Sequence, residues 1–216
     1  MEGQAQNTAL FHAALRAMGT LLPPGEERKH PTLRLEGGGL EGELRLKPGC
    51  LSPKARRRLA RALRDHPAGA AVGVLLWPRT KEGRLELKAS QVGLLHLHPR
   101  PELAGTFSAL GLPQAWEAAG GRLLLEIQPN LKGGLHRPFT LELFLPEGLQ
   151  PPALEEGQAL WVEGRLEQGR LVAGRLTPTP RPEAKPRPAP DGAAPPPAAG
   201  GCRPDPRAWY GRPAAP

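Results

Sequence analysis

Two stretches of the chain read as variants of one β-hairpin, and they constrain the fold more than any total does. Leu75-Leu76-Trp77 is followed by Lys81-Glu82-Gly83-Arg84-Leu85, and Ala159-Leu160-Trp161 by Glu167-Gln168-Gly169-Arg170-Leu171. Each has an apolar strand carrying one tryptophan, a polar turn ending in glycine, and a return strand that opens Arg-Leu. A polar residue followed by glycine between apolar runs is a strong short-range hairpin signal. The repetition predicts two small antiparallel β-modules in tandem, and a binding protein rather than an enzyme.

The rest of the chain is divided around these hairpins. Residues 1–25 are expected to hold an N-terminal helix, capped at Asn7-Thr8, running to about Met18 and ended by Gly19 in the left-handed conformation. Leu10, Phe11, Ala14, Leu15 and Met18 make its apolar stripe. Residues 28–98 are expected to form a ββαββ module. Its strands fall at 33–35, 40–46, Ala71–Thr80 and Arg84–Val92, and a helix starts at Ser52-Pro53 and runs to about Asp65. Residues 101–178 carry five further strands, at 105–110, 122–128, 139–145, 158–166 and 170–176, which suggest a small barrel. The fold class is therefore mainly β with minor α.

From Thr177 onward the chain holds 13 of its 28 prolines and almost no large aliphatic residue. Such a segment buries too little apolar surface to offset its ordering entropy, so residues 179–216 are expected to be a disordered tail. Trp209-Tyr210 near its end would serve as a short docking motif for a partner protein, or the tail is simply solubilising.

Gly157-Gln158-Ala159-Leu160-Trp161-Val162-Glu163-Gly164-Arg165-Leu166, followed by Gly169-Arg170-Leu171, resembles the last hairpin of an OB-fold. Gly105-Thr106-Phe107-Ser108-Ala109-Leu110-Gly111 resembles that fold's first strand. The resemblance covers roughly residues 103–178 and implies single-stranded nucleic-acid binding. OB-folds usually carry a helix between strands three and four, and Pro151–Glu156 leaves room for one turn at most. There is also a faint similarity to bacterial proteins labelled FinO-like.

Charge agrees with a polyanionic partner. The net charge is +8, of which +5 lies ahead of the tail. An arginine-biased genome gives a similar excess. The helix from Ser52 to Asp65 concentrates it: Ala55, Leu59, Ala62 and Leu63 share one side, and Lys54, Arg57, Arg58, Arg61 and Arg64 the other. Guanidinium groups match phosphate geometry, so this ridge is a candidate to track a nucleic-acid backbone; the alternative is an ordinary solvated face. Trp77 and Trp161 fall out of phase with the apolar residues of their strands, as base-stacking platforms or as packing residues. Glu126, Glu142 and Glu163 share that outward parity and would repel phosphate. Lys132, His136 and Arg137 lie in a glycine-containing loop suited to clamping a backbone.

The expected partner is single-stranded DNA or RNA, bound without sequence preference, and the alternative is an adaptor whose β-modules and tail dock other proteins. No cofactor, metal or catalytic constellation is legible. Cys50 and Cys202 have no metal-ligand spacing, and His96 with His98 lacks a third ligand. No leader or membrane-spanning run is seen, which predicts a cytoplasmic protein with no membrane partner.

Overall fold

The structure, a computed structural model, describes residues 10–26, 29–47, 49, 51–129 and 137–182. The docking motif Trp209-Tyr210, the loop residues Lys132 and His136, and both cysteines lie outside the described residues.

The expected N-terminal helix is a strand. Strand β1 (His12–Leu22) buries Ala13, Leu15, Ala17, Gly19 and Leu21 and turns His12, Ala14, Arg16 and Met18 outward. Three of these five inward positions are alanine or glycine, so the period of two is faint, and the larger residues happen to fall at helical spacing. Gly19 does not end a helix. A Cβ there would run into the carbonyl oxygen of Arg34, so the residue permits close approach of two strands.

With β1 in place the first half of the chain is a circuit of five strands, β1, β2 (Thr32–Leu35), β3 (Gly42–Arg45), β4 (Ala70–Trp77) and β7 (Gln91–His96). β1 pairs with β2 and β4, β2 with β3, and β4 with β7, all antiparallel. A parallel bridge between Leu51 and Val92 brings the chain leaving β3 beside β7 and closes the circuit. Helix α1 (Pro53–Asp65) lies between its third and fourth strands. Ser52 caps the helix as the sequence predicts, its Oγ accepting from the Ala55 amide at 3.1 Å. The same hydroxyl donates to the Gly93 carbonyl at 2.6 Å, and with Ala55, Leu59 and Ala62 buried this fastens α1 to β7.

The expected strand 84–92 is interrupted. A separate small hairpin, β5 (Thr80–Lys81) and β6 (Arg84–Leu85), follows β4. The chain then turns at Glu86–Ala89, where Ser90 Oγ accepts from the Arg79 amide and donates to the Glu86 carbonyl. β4 therefore pairs with β7 and not with its immediate successor.

The second half forms the five strands its sequence predicts, β8 (Thr106–Glu117), β9 (Arg122–Ile127), β10 (Phe139–Phe144), β11 (Gln158–Glu167) and β12 (Arg170–Pro180). β8–β9, β9–β10, β11–β12 and β11–β8 are antiparallel, and a parallel pairing of β10 with β12 at Phe144 and Val172 completes a closed ring. β8 reaches both neighbours by bending through an irregularity between Pro113 and Ala115. Strand β1 also pairs with β8, His12 with Leu110 through Leu15 with Phe107, so both circuits belong to one sheet.

The two signature turns adopt the same geometry, with Glu82 and Gly83, and again Gln168 and Gly169, at positive φ. They also touch. The Leu85 amide donates to the Gly169 carbonyl at 2.8 Å, and Thr80 Oγ1 accepts from the Glu142 amide at 2.8 Å. Arg79 lies 3.4 Å over the Phe139 ring and Arg170 4.6 Å over Phe144.

Candidate nucleic-acid interface

The outward faces of β1, β4 and β7, with α1 along one side and the connection 97–104 along the other, enclose a groove of about 770 Å³. Arg16 comes from β1, Arg58 and Arg61 from α1, and Arg100 from the connection; among the described residues no acidic one lines it. The exposed position of Arg16 follows from the alternation of β1. Arg58 and Arg61 follow from helical spacing, one turn apart on the side of α1 nearest β7.

Arg58 is fixed across the groove floor. Its Nη1 donates to the Leu95 carbonyl at 3.1 Å and to His96 Nδ1 at 3.2 Å. A guanidinium has no acceptor, so Nδ1 carries the lone pair and a neutral His96 holds its proton on Nε2. Burial, then Arg58, Arg100 and Lys54, hold the His96 imidazole below its ordinary pKa. Arg61 shares Asp65 with Arg64 at 3.4 and 3.5 Å. Arg16, Arg58 and Arg100 make no ion pair among the described residues.

A second groove, of about 880 Å³, lies over β1, β8, β11 and β12, and Arg16, Leu75 and Leu103 line both. Its character differs. Trp161 sits half-buried with its ring edge-on to His12, centroids 5.0 Å apart and planes at 67°. His12 Nδ1 donates to the Leu10 carbonyl at 2.8 Å, which leaves Nε2 to accept from Ser108 Oγ at 3.5 Å. Burial lowers the His12 pKa; the Leu10 hydrogen bond opposes this and Arg16 adds to it. Glu163, Glu167, Arg165 and Arg175 mix both signs of charge along the walls.

The helix ridge read from the sequence is divided by this arrangement. Arg58 and Arg61 line the first groove, and Lys54 is near enough to depress His96. Arg57 is exposed and Arg64 is tied to Asp65, and neither lines a groove. Trp77 packs its indole over the Gly93 backbone, where a Cβ would overlap Nε1 and Cε2, so it lies outside both grooves. Trp161 does face a groove. Arg137 is exposed and lines neither. Of the outward acids, Glu126 accepts from Gln114 Nε2 at 2.6 Å and only Glu163 lies in a groove.

Arg16, Arg100, Arg165, Arg175 and His12 were not legible as groove residues. Arg16 and His12 belong to the segment read as a helix. Arg165 shares the parity of Trp161 and Glu163, a signal present in the sequence. Arg100 lies in a connection with no periodicity. No group of three or more His, Cys, Asp or Glu placed to hold a metal occurs among the described residues, and none of their helices is long and apolar enough to cross a membrane. No protein-family model matches the chain, and neither a curated protein nor a solved structure does.

Proposed function

We propose that the protein binds single-stranded DNA or RNA without strict sequence preference, with the phosphate backbone lying in the acid-free groove. The observation that carries this is the convergence of Arg16, Arg58, Arg61 and Arg100 from three separate elements onto one groove. Concave cationic channels of this kind track phosphate backbones, and an aromatic wall beside them accepts bases. The neighbouring groove, which shares Arg16 and contains Trp161, supplies such a wall. The OB-like reading of residues 103–178 is supported by strand order, since β8, β9, β10, β12 and β11 close into a ring. The first half, outside that resemblance, has the same order and carries α1 between its third and fourth strands.

The test is fluorescence anisotropy of the full chain with a labelled oligothymidylate of about 15 nucleotides, repeated across a salt series. Log affinity should fall linearly with log salt, by about 0.7 for each phosphate neutralised. Absence of binding at low salt, or binding indifferent to salt, overturns the reading.

A further inference from the structure

We propose that the second groove is a nucleobase subsite that favours guanine, with Glu163 accepting from its Watson–Crick edge. This rests on the single-strand reading above and extends it from backbone to base.

The two grooves share Arg16, Leu75 and Leu103 in their walls but are chemically unlike. The first offers cations and no acid, which suits phosphates. In the second a phosphate would meet the carboxylates of Glu163 and Glu167, so a strand crossing from one to the other places a base there. Trp161 provides the apolar wall, and its contact with His12 fixes the ring. The polar atoms of His12 are already committed, Nδ1 to Leu10 and Nε2 to Ser108. Glu163, opposite Ser108 on β8 and Arg175 on β12, makes no ion pair among the described residues. Glu167 also lines the groove without an ion pair among the described residues, but it lies four residues further along β11 at the turn, whereas Glu163 is two residues from Trp161 on the same face of the strand.

A carboxylate selects among bases by the donors they present. Guanine offers two adjacent donors, N1–H and the 2-amino group, which match both carboxylate oxygens. Adenine and cytosine offer one amino group beside an acceptor nitrogen. Thymine and uracil offer one N–H between two carbonyls, which the carboxylate repels. Arg165 and Arg175, on the same walls as Glu163, are placed for the flanking phosphates.

The full-length protein is titrated with three labelled oligonucleotides of about 15 nucleotides: all-thymine, the same with one central guanine, and the same with one central inosine, which lacks the 2-amino group. Guanine should raise affinity about tenfold over all-thymine, as one good bidentate contact does, and inosine should recover only part of that gain. Glu163→Gln and Glu163→Ala, both at an exposed position, should abolish the preference while affinity for the all-thymine strand is held or rises. Tight binding with no guanine preference overturns the subsite and leaves the cationic groove standing. A preference undiminished in both variants overturns the assignment to Glu163, and no binding to any of the three overturns both readings.

Discussion

In the first circuit the chain between third and fourth strands is α1, whose groove side carries Arg58 and Arg61. In the second the same interval is residues 145–157, broken by three prolines and carrying Glu147, Glu155 and Glu156 with no lysine or arginine. The strand order is alike and the charge is not. The insertion adds Arg58 and Arg61 to the first groove, whereas the charges of the second, Glu163, Arg165, Glu167 and Arg175, all stand on its own strands. The hairpins show a second asymmetry. In the first circuit β5–β6, which joins the fourth and fifth strands, is engaged with the β11–β12 turn through Leu85 and Gly169. The open cationic groove lies instead over the first, fourth and fifth strands.

The largest effect is expected at β1, the strand both circuits use. Leu15 is fully buried and pairs with Leu76 on one side and Phe107 on the other. Leu15→Ala should cost about 2–5 kcal/mol, and calorimetry should show one transition moved to lower temperature. Two resolved transitions, with only one displaced, would mean that the halves are energetically separate.

Next comes the division of the arginines. Replacing Arg16 and Arg100 together by Glu removes two charge-assisted contacts of about 1.5–3 kcal/mol each. Affinity for oligothymidylate should drop about a hundredfold or more, with the melting temperature little changed and a shallower salt dependence. Arg57→Glu with Arg64→Glu alters net charge by the same amount outside the groove and should cost only a few-fold. Equal losses in the two pairs would reduce the groove to a general charge effect.

The two matched turns separate by a smaller margin. Gly169 has φ +78° with open space where a Cβ would go, so Gly169→Ala should cost about 1 kcal/mol of backbone strain. At Gly83, φ +73°, the added carbon also lies 2.7 Å from Phe144 Cζ, and Gly83→Ala should lose more in denaturant titration. Reversal of that order would disprove the packing of β5–β6 against β10.

The smallest effect is on pH. His12 and His96 both have folded-state pKa values below the ordinary imidazole value near 6.5. The folded state thus favours the neutral rings, and their contribution is complete above about pH 6.5. It is lost as pH falls through the lowered values, because the unfolded chain then binds more protons. His96→Gln should flatten part of the fall in melting temperature below pH 6.5, and an unchanged profile would remove His96 from the account.

Legibility varied with how local the determinants were. α1 could be read in full, because Ser52-Pro53 is a local start signal and the Arg/Leu spacing is helical throughout. The five strands of the second half alternate leucine and valine with polar residues and lie where the sequence places them, except that β8 runs seven residues and β12 four beyond the expected ends, through Pro113 and Pro178. β1 was lost because Ala13, Ala17 and Gly19 leave its buried face weakly hydrophobic. That single error displaced α1 to the wrong interval of the first circuit and concealed its likeness to the second. The contact of Arg58 with His96 joins residues 38 positions apart. No spacing rule announces such a contact, so the ridge was seen but its useful edge was not.

Strand β1 is central in space and early in sequence. Its partners β4 and β8 leave the ribosome some fifty and ninety residues after it. Until then one or both of its edges stay unpaired, the condition under which strands capture the wrong neighbour. A sheet closed by contacts this distant in sequence folds slowly, because loop entropy is lost before pairing returns it. The strand that makes the finished molecule one piece is also the part most exposed to misassembly while it is being made.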